Sequence, residues 1–346
     1  MPSSFIYLAD LHVGEGCASS TRDYQRNDTD CYSVRRLNDT VARINEELDG
    51  ASFVVVGGDL TSSAQASEFA AARSQLDRLR VPYFTMLGNH DIWSYDQVTG
   101  DRTASPRGDA LFATTFGSTF RRLLSDYPGF RYSNQTSYSD RGDPRQYQSW
   151  SLRPRTADFG PDFDGVVLLA PDFNGRLKAP PPCPGHSPLG GCGVMGMADL
   201  NDDADGGGAW RWFEAELDGL AHARENASAI LLTHQPFRCR PGVPDWYFCF
   251  SSSAKRRLRD AVARRALSPA VFWGQLAGHQ HRFWSGAAFD EPPWAGFKQV
   301  EVSAVKGDAI DARMASAFLR VHVAQGVVHG VTRHWREGDE WRSGEA

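Results

Sequence analysis

Five short clusters in the chain carry residues able to bind metal: Asp10-Leu11-His12, Gly58-Asp59, Gly88-Asn89-His90-Asp91, Thr233-His234 and Gly278-His279-Gln280-His281. Their side chains offer carboxylate, amide and imidazole donors and no sulfur. Hard and borderline donors in this mixture suit Mn, Fe or Zn better than Ca. Together they are enough for two ions.

Such donors must be delivered to one place, and the flanking residues indicate how. Each cluster follows a short apolar run: Phe5–Ala9, Phe53–Val56, Tyr83–Leu87, Ile230–Leu232 and Val271–Leu276. Apolar runs that stop at polar turns read as buried parallel strands. Between the first three runs, Val34, Leu37, Val41, Ile44 and Leu48 repeat at helical spacing behind Ser33, a candidate N-cap. Phe69, Ala72, Leu76 and Leu79 do the same behind Ser67. The order strand–helix–strand–helix–strand predicts a βαβ sheet. Ligands of open α/β sheets bind beyond the carboxyl ends of the strands. Five strand ends are therefore expected to bring all five clusters to one sheet edge. Gly58, Gly88 and Gly278 stand where the chain must turn close to the donors.

The rest of the chain is less regular. Residues 94–164 read as an insertion over the catalytic edge, broken by one helix through Leu111, Phe112, Phe116, Phe120 and Leu124. Residues 171–208 read as a second inserted loop. A helix is expected on Trp210, Phe213, Leu217 and Leu220, and another over Ser253–Leu267. Three alternating runs from Lys298 to His334 are expected to complete a second sheet, and 335–346 to form a frayed polar tail. With no repeat and no linker, residues 1–334 are expected to make a single domain.

In order and at strand ends, D-x-H, G-D, G-N-H-D, a lone H and G-H-x-H resemble the pattern of the calcineurin-like metallophosphoesterases, the binuclear metallophosphatases. The resemblance runs from Asp10 to His281. It implies an α/β fold, a metallophosphoesterase-type four-layer α/β/β/α sandwich with two mixed sheets and long inserted loops. It also implies a hydrolase of phosphoric esters with two metal ions, divalent or mixed-valence, drawn from Mn, Fe and Zn. Asp10, His12 and His281 would hold the first ion, Asn89, His234 and His279 the second, and Asp59 would bridge them. A hydroxide between ions roughly 3.5–4 Å apart would attack phosphorus in line with the leaving group. His90 would assist that group rather than bind metal, and Asp91 would accept the other ring N–H and fix its tautomer. Purple acid phosphatases, a related branch, use G-D-x-x-Y with the Tyr on iron. Ser62 stands at that place here, so no tyrosinate–iron centre is expected.

The expected substrate is a small-molecule phosphate mono- or diester. A cyclic-nucleotide phosphodiesterase is the alternative, and a non-catalytic binding scaffold on this fold is the reading of another class. Trp93, Phe283-Trp284 and Trp246-Tyr247-Phe248 lie near ligands in sequence, where they either pack loops or line an ester pocket. Arg238 and Arg240 are candidate phosphate contacts or surface arginines. His186, His222, His322, His329 and His334 read as loop, surface or strand residues.

Composition narrows the partners. The 346 residues carry a net charge of −5 at pH 7, and 41% are hydrophobic. The short basic stretch Lys255–Arg259 reads as a solvated helix face, so no nucleic-acid partner is expected. No apolar run reaches the roughly 20 residues that span a membrane. The cysteines fall into three close pairs, Cys17/Cys31, Cys183/Cys192 and Cys239/Cys249, none with CxxC spacing. Three local disulfides are expected, which implies an oxidising compartment. The sequons at Asn27, Asn38, Asn134 and Asn226 point the same way. The chain opens on Met-Pro-Ser-Ser and an apolar strand, without a leader's three regions. The secretory reading thus expects a leader already removed. A cytoplasmic protein with six free thiols is its alternative.

Overall fold

A computed structural model describes residues 3–15, 32–47, 50–94, 107–138, 144–176, 200, 208–223, 228–239, 249–305, 316–338 and 340–346. The alternating start runs as expected: β1 (Ser3–Leu8), α1 (Tyr32–Glu46), β2 (Ala51–Val56), α2 (Ala66–Leu76) and β3 (Tyr83–Thr85). β1 pairs with β2, and β2 with β3, in parallel. α1 turns Val34, Leu37, Val41 and Ile44 inward. Each such buried aliphatic side chain stabilises the fold by roughly 1.5–3 kcal/mol. Neither candidate cap serves as one. Ser33 lies within α1, and its hydroxyl donates to the Glu15 carbonyl at 2.9 Å. α2 is capped at Gln65, whose N–H donates to the Glu68 carboxylate at 3.1 Å, so Ser67 falls in the first turn.

The chain continues through α3 (Gly108–Asp126), β4 (Phe130–Tyr138), β5 (Pro144–Leu152), the single turn α4 (Thr156–Phe159), β6 (Val166–Ala170), α5 (Ala209–Ala223) and β7 (Ser228–Leu232). It ends with α6 (Ser252–Arg264), β8 (Phe272–Ala277), β9 (Trp284–Ala287), β10 (Lys298–Glu301), β11 (Ala317–Ala324), β12 (Val327–Glu337) and β13 (Glu340–Glu345). One sheet has the order β13-β12-β11-β1-β2-β3 and the other β4-β5-β6-β7-β8-β10-β9. Both are mixed. β6 shows how the layers form. Val166, Leu168 and Ala170 join the core shared with β1 and β2, while Val167 and Leu169 join a second core under α5 and α6. That alternation gives the α/β/β/α sandwich.

Three expectations need correction. Within the insertion expected over 94–164, Phe130–Tyr138 and Pro144–Leu152 are not loop but the antiparallel pair β4 and β5. β5 buries Gln148, Ser149 and Ser151, whose polarity masks a covered strand. Their partners come from elsewhere, as when Tyr132 Oη donates to Gln148 Oε1 at 2.6 Å. The tail 335–346 is not frayed. A turn at Gly338 (φ 62°) folds β13 back onto β12, and Trp341 lies 5.6 Å from the Phe318 ring. Of the three late runs, only β10 joins the second sheet, parallel to β8. β11 covers the otherwise open edge of β1, antiparallel, and carries β12 into the first sheet. Most of the 171–208 stretch lies outside the described residues.

Candidate metal centre

The five clusters meet, but from two sheets rather than one edge. β1, β2 and β3 end on one side of the gap, and β7 and β8 on the other. Within the first sheet, Asp10 N–H donates to Gly58 O and His12 N–H to Asp59 O, both at 3.0 Å. Across the second, Gly278 N–H donates to His234 O at 3.0 Å. The His279 N–H joins the two sheets by donating to the Asp10 carboxylate, 2.9 Å from Oδ2 and 3.1 Å from Oδ1.

The backbone turns at these residues in an unusual way. Asp10 (φ 57°), His12 (44°), Asp59 (50°), His279 (73°) and His281 (54°) all occupy the left-handed region. Outside glycine that region is sparsely used and costs of order 1–3 kcal/mol per residue, so it persists where the surroundings impose it.

The side chains form two donor groups. Asp10, His12, Asp59 and His281 make one, and Asp59, His234 and His279 the other, with donor atoms in each within 4.8 Å of one another. Asp59 belongs to both. His12 Nε2 lies 3.1 Å from His281 Nε2 and 3.5 Å from Asp59 Oδ2. His281 Nε2 is 3.4 Å from Asp10 Oδ1. Asp59 Oδ2 and His234 Nε2 are buried 3.0 Å apart, and neither has any other hydrogen-bond partner among the described residues. Buried polar atoms without hydrogen bonds are costly, and paired imidazole nitrogens at 3.1 Å compete for one proton. A cation satisfies both sets, so the residues fit a metal.

The field agrees. Burial favours neutral His234, but the carboxylates of Asp59 and Asp10 prevail and raise it to about 9. Burial and the neighbouring His234 charge lower His279 to about 3, leaving a neutral donor. Asp59 would be raised by burial, yet His234 and His90 hold it well below the usual carboxylate range. His281 and His234 likewise hold Asp10 down against burial. These atoms attract positive charge.

Supporting contacts orient the rings. His234 Nδ1 lies 3.0 Å from Gly57 O, a pure acceptor, so Nδ1 carries hydrogen and Nε2 faces the donor group. His90, half-buried, packs edge-on to His12 with centroids 4.5 Å apart. Its backbone N–H donates to Asp59 Oδ1 at 2.8 Å. Its Nδ1 is 2.9 Å from Ser62 O, so a backbone carbonyl holds the tautomer that Asp91 was expected to hold. Asp91 accepts instead from Gly88 N–H, Leu60 N–H, Thr61 N–H and the Thr61 hydroxyl, at 2.7–3.1 Å. It ties the β2 and β3 end loops together. Burial and Asp59 push it up to about 7, against those four donors. Asn89 is 1% exposed beside it. Gly58 and Gly88 permit the approach. A Cβ on Gly88 would lie 2.1 Å from Asp59 Oδ1, and Gly58 has φ 94°.

The outer candidates divide. Trp93 is 4% exposed in the core, so it packs rather than receives ligand. Phe283 stacks under Arg333, 4.7 Å from the guanidinium carbon. Arg238 pairs with Asp290, and its N–H donates to Gln299 Oε1 at 2.8 Å. His222, His322, His329 and His334 are in neither donor group. Cys239 and Cys249 form a disulfide with Cα atoms 5.6 Å apart, and Gln280 Nε2 donates to Cys249 Sγ at 3.3 Å. Cys17/Cys31, Cys183/Cys192, Asn27, Asn226, His186, Arg240 and Trp246-Tyr247-Phe248 lie outside the described residues. Sequence reasoning missed a sixth strand end, where β6 runs into Asp172, Asn174 and Arg176. The run Pro171-Asp172-Phe173-Asn174 after five apolar residues was its signal.

Comparison with known proteins identifies the class. A family model of calcineurin-like phosphoesterases matches residues 3–283, and the chain belongs to that family. Over 87 residues it is 36% identical to a probable cyclic nucleotide phosphodiesterase of Rhodopseudomonas palustris, a match spanning 25% of this chain and 29% of that one. The fold is similar to a dimetal phosphatase from Danio rerio, with TM-score 0.56, 14% identity and 99% of both chains covered. It is also similar to the purple acid phosphatase PPD1 of yellow lupin (Lupinus luteus), with TM-score 0.52, 13% identity, all of this chain and 53% of that one.

Proposed function

We propose that this protein hydrolyses small-molecule phosphate mono- or diesters with two bound metal ions. The observation that carries the reading is the pair of buried donor groups sharing Asp59. Asp10, His12 and His281 would hold one ion, Asn89, His234 and His279 the other, and Asp59 would hold both. Mn, Fe or Zn suits these oxygen and nitrogen donors. When bound, the ions supply Lewis acidity toward the phosphoryl oxygens and lower the pKa of the attacking water. The protein's own part is positional. The Asp10 and Asp59 carboxylates neutralise the ions, and the His279 N–H keeps Asp10 oriented. His90, held at Nδ1 by Ser62 O, presents Nε2 to protonate the leaving oxygen.

Cyclic-nucleotide cleavage is the second reading, supported by the partial match to the Rhodopseudomonas relative. An oxidising compartment is also proposed, on the Cys239–Cys249 bond and the sequons. The exposed Asn134 is the most accessible described acceptor, since Asn38 accepts from Arg78. The test is protein stripped of metal and reloaded with Mn, given chromogenic monoester, diester and cyclic-nucleotide substrates. Cleavage of at least one, abolished in Asp59→Asn, is expected. Wild type that binds no metal and cleaves nothing under Mn, Fe or Zn overturns the reading.

A further inference from the structure

The sixth strand end supplies a residue for this site that no motif marks. Beyond β6, Asp172, Asn174 and Arg176 are 3%, 2% and 1% exposed. Arg176 grips Asp172 with both terminal nitrogens, Nη1 to Oδ1 at 3.0 Å and Nη2 to Oδ2 at 2.6 Å. Its Nε donates to Asp109 Oδ2 at 3.3 Å, and its guanidinium lies 4.3 Å over the Tyr147 ring. It also donates to the Asn174 carbonyl at 2.6 Å and the Gln146 carbonyl at 2.8 Å. Planar bidentate pairing and stacking together leave a guanidinium little freedom.

This buried assembly points Asn174 at the β3 end loop. Asn174 Nδ2 donates to Asp172 Oδ1 at 3.0 Å and to Leu87 O at 2.9 Å. Both amide hydrogens are then used on acceptors, which fixes the amide orientation. Leu87 immediately precedes Gly88-Asn89. On the opposite side, Gly88 rests against Asp59, where even a Cβ would overlap at 2.1–2.2 Å. The loop carrying Asn89 is therefore held between Asp59 and Asn174.

We propose that Asn174 is a positioning residue for Asn89, setting how tightly one of the two ions is retained. The proposal rests on the two-metal reading above. Loss of such supporting partners typically weakens metal affinity about 10–100-fold. Removing Asn174 should weaken one binding step and spare the other, because Asp10, His12 and His281 are held by other contacts.

The test is Mn(II) titration of metal-stripped protein, followed by calorimetry and electron paramagnetic resonance. Wild type is expected to bind two ions and show a spin-coupled pair. In Asn174→Ala, one step should weaken at least tenfold and the other stay within threefold. The coupled signal should vanish at two equivalents of Mn and return in excess. If Asn174→Ala does not fold, Asn174→Leu, which keeps the bulk but has no donor, takes its place with the same expectation. Two wild-type steps in the variant overturn the proposal, as does equal weakening of both, which would mark a structural role only. Wild type that binds no Mn, Fe or Zn overturns the two-metal reading itself, and this proposal with it.

Discussion

Replacing Gly88 by alanine should separate the site's halves while leaving the fold standing. The new methyl would lie 2.1 Å from Asp59 Oδ1 and 2.2 Å from Asp59 N. Ordinary contact needs about 3.5 Å, so the β2 and β3 end loops must part by about 1.3–1.4 Å. The neighbour is the Asp59 backbone and its buried carboxylate, not a flexible tip, so little can yield elsewhere. Overpacking of this size costs about 1–3 kcal/mol of stability. The larger effect is on chemistry. The shift strains the His90 N–H bond to Asp59 Oδ1, now 2.8 Å, and moves Asn89 relative to Asp59. Misplacement by about 1 Å can cost about 100-fold in rate. The assay pairs urea denaturation with kcat/KM and calorimetric metal uptake. Gly330→Ala is the control, since nothing lies within 4 Å of its added Cβ. It should change stability by no more than about 0.5 kcal/mol. Gly88→Ala that binds two ions and turns over within threefold of wild type would refute the claim that this contact sets the spacing.

Two further outcomes concern stability. Arg176→Met leaves Asp109 and Asp172 buried without their cation and should cost about 3–5 kcal/mol in urea denaturation. A loss below about 1 kcal/mol would show the cluster to be dispensable. His334, 7% exposed and stacked on Phe318 at 4.7 Å, is lowered to about 4, mainly by burial. Below its ordinary pKa the unfolded chain binds this proton and the folded one does not. Stability is therefore full above about pH 6.5 and falls as pH drops toward about 4. The loss should reach about 2 kcal/mol, allowing for solvent screening. His334→Phe should flatten that part of the profile; identical slopes in the two proteins count against the assignment.

The donors were legible because each sits at the end of an apolar run, and runs such as FVVV announce buried parallel strands. Which strands share a sheet was not legible. Alternation in 317–334 marks strands, but only the open flank of β1 decides that β11 lies there. β5 was hidden because Gln148, Ser149 and Ser151 face a polar network instead of apolar side chains. Asp91 shows the limit of motif reading. Its place beside His90 in sequence suggested a ring contact, whereas the tight helical turn Asn89–Asp91 aims its carboxylate back at three backbone N–H groups. Asn174 escaped because its effect passes through the Leu87 carbonyl, and backbone acceptors leave no trace in residue type.

The left-handed backbone at five of the donors has an energetic side. Glycine at Asp10, His12, Asp59, His279 or His281 would relieve backbone strain, yet at Asp10 and Asp59 it would also remove the carboxylates that accept from the His279 and His90 N–H groups. The strain at these five residues is thus offset by the contacts their side chains make, so the donors themselves help to hold the ends of the two sheets together.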